Sequence, residues 1–134
     1  MWRWVTAMAL AFGLAGGVAQ ADETAIQGVI DSQIAAFRAD DFETAFTYAA
    51  PGIQGMFRNP TNFGRMVREG YPMVWRPSQV EYLGTRTQGA IWRQDVLVTD
   101  AQGQVFTLAY SMVETAEGWK IAGVELLRQP DVGA

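Results

Sequence analysis

Cysteine and histidine are both absent from the 134 residues. Without cysteine there can be no disulfide, thiol nucleophile, thiolate metal site or cysteine-linked lipid, so packing must hold the fold together. Without histidine the commonest general base near neutral pH and the commonest metal ligand are gone. A Ser-His-Asp triad and a histidine-ligated zinc site are therefore excluded, and acid–base chemistry is left to Asp, Glu, Tyr and Lys120. Basic residues are in deficit, 10 against 14 acidic, for a formal net charge of −4. That balance argues against nucleic acid or anionic lipid as a partner. Repeats, linkers and low-complexity tracts are also missing. The Gly52-Ile53-Gln54-Gly55 stretch lacks the lysine and the preceding strand of a phosphate-binding loop, so nucleotide chemistry is unsupported and no cofactor is expected.

What is present begins with a leader. Arg3 supplies a positive start, Val5 to Val18 an uncharged apolar run, and Ala19-Gln20-Ala21 a small-residue cleavage site, the pattern of a secretory signal peptide over residues 1–21. The run is about 14 residues long, against the ~20 a membrane-spanning helix needs, and Gly13, Gly16 and Gly17 weaken it further, so no stable insertion is expected after cleavage. The expectation is an exported protein, periplasmic or secreted, whose mature chain starts at Asp22 and forms one domain over residues 22–134. Losing Arg3 with the leader takes the net charge to −5. A chain of this size buries roughly two-thirds of its unfolded surface without a staple.

The mature chain divides near Pro72 into a helix-patterned half and a strand-patterned half. Ile26, Val29, Ile30, Ile34 and Phe37 form the stripe of an amphipathic helix from about Glu23 to Ala39. Asp40, with Glu43 three residues on, reads as the cap of a second helix carrying Phe42, Ala45, Phe46 and Ala49, which Pro51 stops. Asn59-Pro60 caps and opens a third, bearing Phe63, Met66 and Val67, before a turn at Gly70-Tyr71-Pro72. From Val80 the period becomes two. Turn signals at Gln88-Gly89, Asp100-Ala101-Gln102-Gly103 and Thr115-Ala116-Glu117-Gly118 then separate four strands of an antiparallel meander. Plain hairpins of two or four residues would pair Thr87 with Ala90, Thr99 with Gln104 and Glu114 with Trp119. That register directs Val80, Tyr82, Ile91, Leu97, Phe106, Leu108, Tyr110, Met112, Trp119, Ile121 and Leu127 toward the helices. The opposite face receives Trp92, Val96, Val98, Val105, Val113 and Val124, which is too apolar for a solvated surface and implies a homodimer through the outer face or cover from the chain ends.

Helices followed by a curved antiparallel sheet, with Gly118-Trp119-Lys120-Ile121 starting the last strand, resemble the nuclear transport factor 2-like fold, the α+β cone of ketosteroid isomerase and polyketide-cyclase relatives. On that resemblance three N-terminal helices pack on a curved four-stranded sheet. More narrowly, Gln33-Ile34-x-Ala36-Phe37, Asp40-Asp41, Ala45-Phe46, Ala49-Ala50-Pro51 and Phe63-x-x-Met66-Val67-x-x-Gly70-Tyr71-x-x-Val74-x-Arg76-Pro77 resemble an exported bacterial family known as domain of unknown function 4864. The isomerase relatives work with a pocket Asp base, a Tyr and a protonated Asp. No local motif here fixes those roles.

The same register sets Arg93, Asp95, Tyr110 and Glu125 inside the helix-facing surface with Tyr82 alongside, while Gly84 and Gly123 leave space beside them. These five residues are the candidate ligand-binding set. The alternatives are a satisfied internal Arg-Asp-Tyr-Glu network, or a bulge at Gly84 or Gly123 that turns the side chains to solvent. Arg65, Arg68, Arg76 and Arg86 either gather an anion at the cone mouth or offset a helix dipole. Met56, Phe57, Phe63, Met66, Tyr71, Met73 and Trp75 form a soft aromatic stretch that reads as core or lid rather than a cofactor box. The leading functional expectation is an exported domain binding a small apolar ligand or a partner. The competitors are a cofactor-free isomerase or cyclase with Asp95 or Glu125 as base and Tyr110 as oxyanion donor, and a structural interaction domain with a filled cone.

Overall fold

Ile26, Ile30, Ile34 and Phe37 recur at helical spacing, and all four are buried on one side of helix α1 (Ala11–Arg38). The computed structural model describes residues 11–127, with side chains from residue 20 onward, so Arg3 and residues 128–134 lie outside the described residues. Helix α1 runs through the Ala19-Gln20-Ala21 segment without a break, and the expected start at Glu23 is not a helix boundary.

The turn after α1 corrects the expected capping. Asp40 adopts a left-handed φ of 56° and does not cap α2 (Phe42–Thr47). Its carboxylate accepts hydrogen bonds from Trp75 Nε1 and an Arg76 guanidinium nitrogen, each at 3.0 Å. The Trp75 bond, and after it Arg76, hold the Asp40 carboxyl below its usual range. The cap is Asp41, which accepts from the Thr44 amide at 3.2 Å and the Thr44 hydroxyl at 2.7 Å.

Helix α2 ends at Thr47, short of the expected stop at Pro51 and without Ala49, which bridges to Ile121; Pro51 instead opens a further short helix, α3 (Pro51–Phe57), and Pro72 opens another, α5 (Pro72–Trp75). Proline is favoured in the first turn, where its missing N–H has no intrahelical partner to lose, so both residues are helix starts. Helix α4 (Pro60–Gly70) begins as its sequence indicates, with the Asn59 side chain accepting from the Asn62 amide at 2.8 Å.

Strands β1 (Gln79–Gln88), β2 (Ile91–Thr99), β3 (Val105–Thr115) and β4 (Gly118–Leu127) form an antiparallel meander in chain order. The register differs from the simple hairpin scheme at two turns and two bulges. Gln88 pairs with Ile91, which puts Gly89-Ala90 in the turn. Thr99 pairs with Val105, not Gln104, because Asp100 spans a five-residue loop: its carboxylate accepts from the amides of Gln102 and Gln104 at 2.9 and 2.8 Å, and Gly103 supplies a φ of 84°. Bulges then occur on both outer strands, at Leu83-Gly84 in β1 and at Ala122 in β4.

A one-residue slip moves a whole strand to the other face. Trp92, Gln94, Val96 and Val98 of β2 therefore align with Met112, Tyr110, Leu108 and Phe106 on the helix side, while Ile91, Arg93, Asp95 and Leu97 face outward. Past the β4 bulge Val124 turns inward, and Glu125 and Leu127 turn outward. Tyr82 and Val80 still face the helices, because the β1 bulge reverses that strand beyond Thr85. Trp92, Val96 and Val98 lie in the core, where Trp92 meets Trp119 edge-on at 5.9 Å, so of the residues that argued for an outer-face dimer Val105 and Val113 remain on that face.

The helical layer closes around Phe63, whose ring lies 5.9 Å from Phe37, 5.3 Å from Phe46 and 5.9 Å from Phe57. Beside it Gly64 lets α4 approach α2 so closely that an added Cβ would come within 2.7 Å of the Phe42 ring. Gly64→Ala gains about 1 kcal/mol of helix propensity but overpacks this contact. The expected net loss is about 1–2 kcal/mol, read by urea unfolding, with partial recovery when Phe42→Leu is added.

Candidate functional site

The outer edge of β4 is where the helices and the sheet are joined. Ile121 donates its N–H to the Tyr48 carbonyl and accepts from the Ala50 N–H, both at 2.8 Å, so residues 48–50 add a short parallel rung to the sheet. Lys120 Nζ donates to the Thr47 carbonyl at 2.7 Å next to it. This seam fixes where α3 starts, and Gln54 holds α3 in place by donating to the carbonyls of Phe46 and Ala49 at 3.1 and 3.0 Å. Helix α3 buries none of its own residues and lies across an opening.

Beneath it is a cavity of about 370 Å³. Ile53, Met56 and Phe57 of α3 cover it; Phe63, Met66 and Val67 of α4, Val74 of α5 and Phe37 of α1 form its sides; Ile121, Gly123 and Val124 of β4 form the floor. The size falls at the lower end of the small-molecule range. Met56 is 68% exposed at the mouth. None of the lining residues is Asp, Glu, Lys or Arg; the polar side chains of the wall are Gln33 and Tyr71. Gln33 Nε2 donates to the Ala45 carbonyl at 3.2 Å, and the Tyr71 hydroxyl donates to the Val124 carbonyl at 3.3 Å.

None of the five residues expected to form a pocket lines this cavity. Arg93, Asp95 and Glu125 lie on the outer sheet face, where Arg93 pairs with Glu125 and Arg86 with Asp95, each at 2.9 Å. Tyr82 and Tyr110 lie on the helix side. The Tyr82 hydroxyl donates to the Asp31 carboxylate, with the Gln27 carbonyl at 3.2 Å, and burial followed by Asp31 pushes its pKa well up. Tyr110 is wholly buried, its hydroxyl has no hydrogen-bond partner among the described residues, and burial alone raises its pKa. The Asp100 loop and the Ala122 bulge separate the charged members from the tyrosines. Arg68 and Arg76 both act on Asp40, and Arg86 lies apart from them on the outer sheet face. The three guanidinium groups go to the Phe42 ring, to Asp40 and to Asp95 respectively.

Two buried amides, Gln33 and Gln94, lie outside the expected site set. Gln33 interrupts the apolar stripe of α1 and is 3% exposed. Gln94, fully buried, donates to the carbonyls of Leu83 and Asp95 at 3.0 and 2.9 Å and accepts from Gln27 at 3.2 Å, so it ties the β1 bulge to β2 and α1. Their signal was an amide set among apolar neighbours, in Ile30-x-x-Gln33-Ile34 and in Trp92-x-Gln94-x-Val96. The aromatic stretch around α4 was read as core or lid, and its members Met56, Phe57, Phe63, Met66 and Tyr71 make much of the cavity wall. Among the described residues no group of three acids could hold a metal ion, and no helix is long and apolar enough to cross a membrane.

The family model for a domain of unknown function, DUF4864, matches residues 19–134. The chain belongs to this family. A DUF4864 chain of this architecture has relatives among solved structures. A crystal structure from Nostoc punctiforme, of a domain of unknown function with a cystatin-like fold, is similar over 84% of this chain and 80% of its own, with a TM-score of 0.56 at 15% identity. The solution structure of RPA3114, a SEC-C motif containing protein from Rhodopseudomonas palustris, is similar over 70% of this chain and 72% of its own, with a TM-score of 0.50 at 14% identity. No curated protein matches the sequence. At these identities the likeness concerns fold: an α+β arrangement of helices with a four-stranded antiparallel sheet, carried by a neighbour with a cystatin-like fold.

The two buried polar side chains of the sheet should respond oppositely to removal. Tyr110→Phe deletes a hydroxyl without a partner and should leave unfolding free energy equal to wild type or up to about 1 kcal/mol higher. Gln94→Met strands the Leu83 carbonyl and the Gln27 amide and should cost about 2–3 kcal/mol. Urea unfolding of both variants checks the contrast.

Proposed function

We propose that this DUF4864 chain is an exported domain that binds a small apolar ligand in the cavity beneath α3. The observation that carries the reading is the wall itself, about 370 Å³ of space bounded by Phe, Met, Val and Ile side chains with only two polar groups among them. An apolar recess of this size, open at one side and holding a few polar groups, is the form that small-molecule sites take. The short helix that covers it is joined to the rest by a proline start, Gln54 and a residue of positive φ, Arg58 at 76°. Layers of helix and antiparallel sheet enclosing a cavity also support the finer reading of the fold as a nuclear transport factor 2-like cone, within the broader cystatin-like arrangement. The isomerase reading finds no support in the geometry, because Asp95 and Glu125 are ion-paired on the far side of the sheet from the cavity.

Export rests on the leader, and two features agree with it. The family match begins at Ala19. Among the described side chains of α1, Glu23 accepts from the Thr85 hydroxyl and Ile26 is the first in the core, both past the expected cleavage site. N-terminal sequencing of envelope-fraction protein should read from Asp22, and an uncleaved cytoplasmic product would remove the export part of the reading.

Ligand binding is tested by native mass spectrometry of protein purified from its own host. Wild type should carry an added small-molecule mass. Val67→Trp, which fills the cavity from α4, should lack it while staying folded. Saturation at a hundredfold over Kd should raise stability by about 2.7 kcal/mol in wild type and not in the filled variant. Wild type free of added mass and unaffected by any apolar probe would overturn the proposal.

A further inference from the structure

The polar groups of the cavity wall are unequal in what they can still offer. Gln33 is 3% exposed, and its amide nitrogen is turned to Ala45, whose carbonyl can only accept. That bond decides which branch of the amide is nitrogen, and it leaves Oε1 without a donor from any described residue. Tyr71 has one hydroxyl hydrogen, committed to the Val124 carbonyl at 3.3 Å. What remains is a single N–H of Gln33 against the lone pairs of two oxygens. The wall is thus rich in acceptors and poor in donors, and it carries no ionised side chain of either sign.

From this imbalance we infer that the cavity selects an uncharged, largely apolar molecule bearing a hydrogen-bond donor, such as a phenol or alcohol, with the donor directed at Gln33 Oε1. The inference rests on the cavity being a ligand site and specifies the class of ligand it takes. A carboxylate would lose its hydration and find no cation and almost no donor in the wall. An ether or ketone of the same shape could accept only from the remaining N–H of Gln33 and would leave Oε1 without a donor. An ammonium would be drawn to acceptors and to the aromatic rings, but no carboxylate in the wall offsets its desolvation. A neutral hydroxyl keeps one hydrogen bond on burial and brings no charge with it. The site discriminates in the sense in which a buried polar group does: a partner that cannot pair with it leaves it unsatisfied.

A set of probes sharing one two-ring skeleton tests this: naphthalene, 2-naphthol, 2-methoxynaphthalene, 2-naphthoate and 2-naphthylmethylammonium, titrated calorimetrically into wild-type protein and into Gln33→Met. The expected wild-type order is 2-naphthol tightest, at least about fivefold ahead of 2-methoxynaphthalene, with 2-naphthoate weakest. In Gln33→Met the preference for 2-naphthol should shrink to within about twofold while naphthalene binds as before. Binding of naphthalene with no preference for 2-naphthol, or with the ether, the carboxylate or the ammonium tightest, overturns the inference and leaves the cavity as a ligand site. Failure of every probe, naphthalene included, overturns the ligand-site reading as well. If Gln33→Met does not fold, the wild-type order alone decides.

Discussion

Two backbone hydrogen bonds at Ile121 join the helical and sheet layers. An exposed sheet edge is a row of unpaired donors and acceptors, and here part of that row is taken up by Tyr48 and Ala50, the residues between α2 and α3. Because the rung is made of main chain, its spacing is that of a strand, and it fixes α2 against β4 whatever the side chains nearby. Helix α3 must then start at Pro51, already at the edge of the sheet, and can only lie across the gap between β4 and α4. The cavity is the space this leaves. The bulge at Ala122 follows directly after the rung and turns Gly123 and Val124 into the floor.

The helical half was largely legible because its signals are local. The α1 stripe and the Asn59 cap each involve residues a few positions apart, and they stand where the sequence indicated. The misreadings there have the same character. Asp40 and Asp41 are adjacent candidates for one cap, and what separates them is the long-range pull of Trp75 and Arg76 on Asp40, which no local pattern reveals.

The sheet shows why the pocket residues were placed wrongly. Strand order follows from the turns and is as expected, but facing depends on counting every residue between rungs, and one extra residue reverses it. In β2 the facing implied by turn length conflicts with the strand's own pattern. Trp92, Val96 and Val98 alternate with Arg93, Asp95 and Leu97, and placing the first set inward buries three apolar side chains while leaving two charges in contact with water. The opposite facing would strip both charges of hydration. The alternation of β2 therefore held the correct answer. The reversal of Glu125 is different in kind, since it depends on a bulge beside the Ile121 rung, a tertiary feature with no signature in β4 itself.

The bulge at Leu83-Gly84 acts on a different scale. Strand β1 is an edge of the meander with no neighbouring strand among the described residues, so another chain's strand has room to add on there. At the middle of that strand the ladder is broken, and the carbonyl of Leu83 is turned to the Gln94 amide inside the sheet. An incoming strand would meet a kink instead of an even run of partners, with the charged side chains of Glu81 and Arg86 on either side. The irregularity that reverses the faces of β1 thereby also guards against edge-to-edge aggregation, and a change that straightened it, such as a β-branched residue at Gly84 paired with loss of Gln94, would be felt first as poor solubility at high concentration.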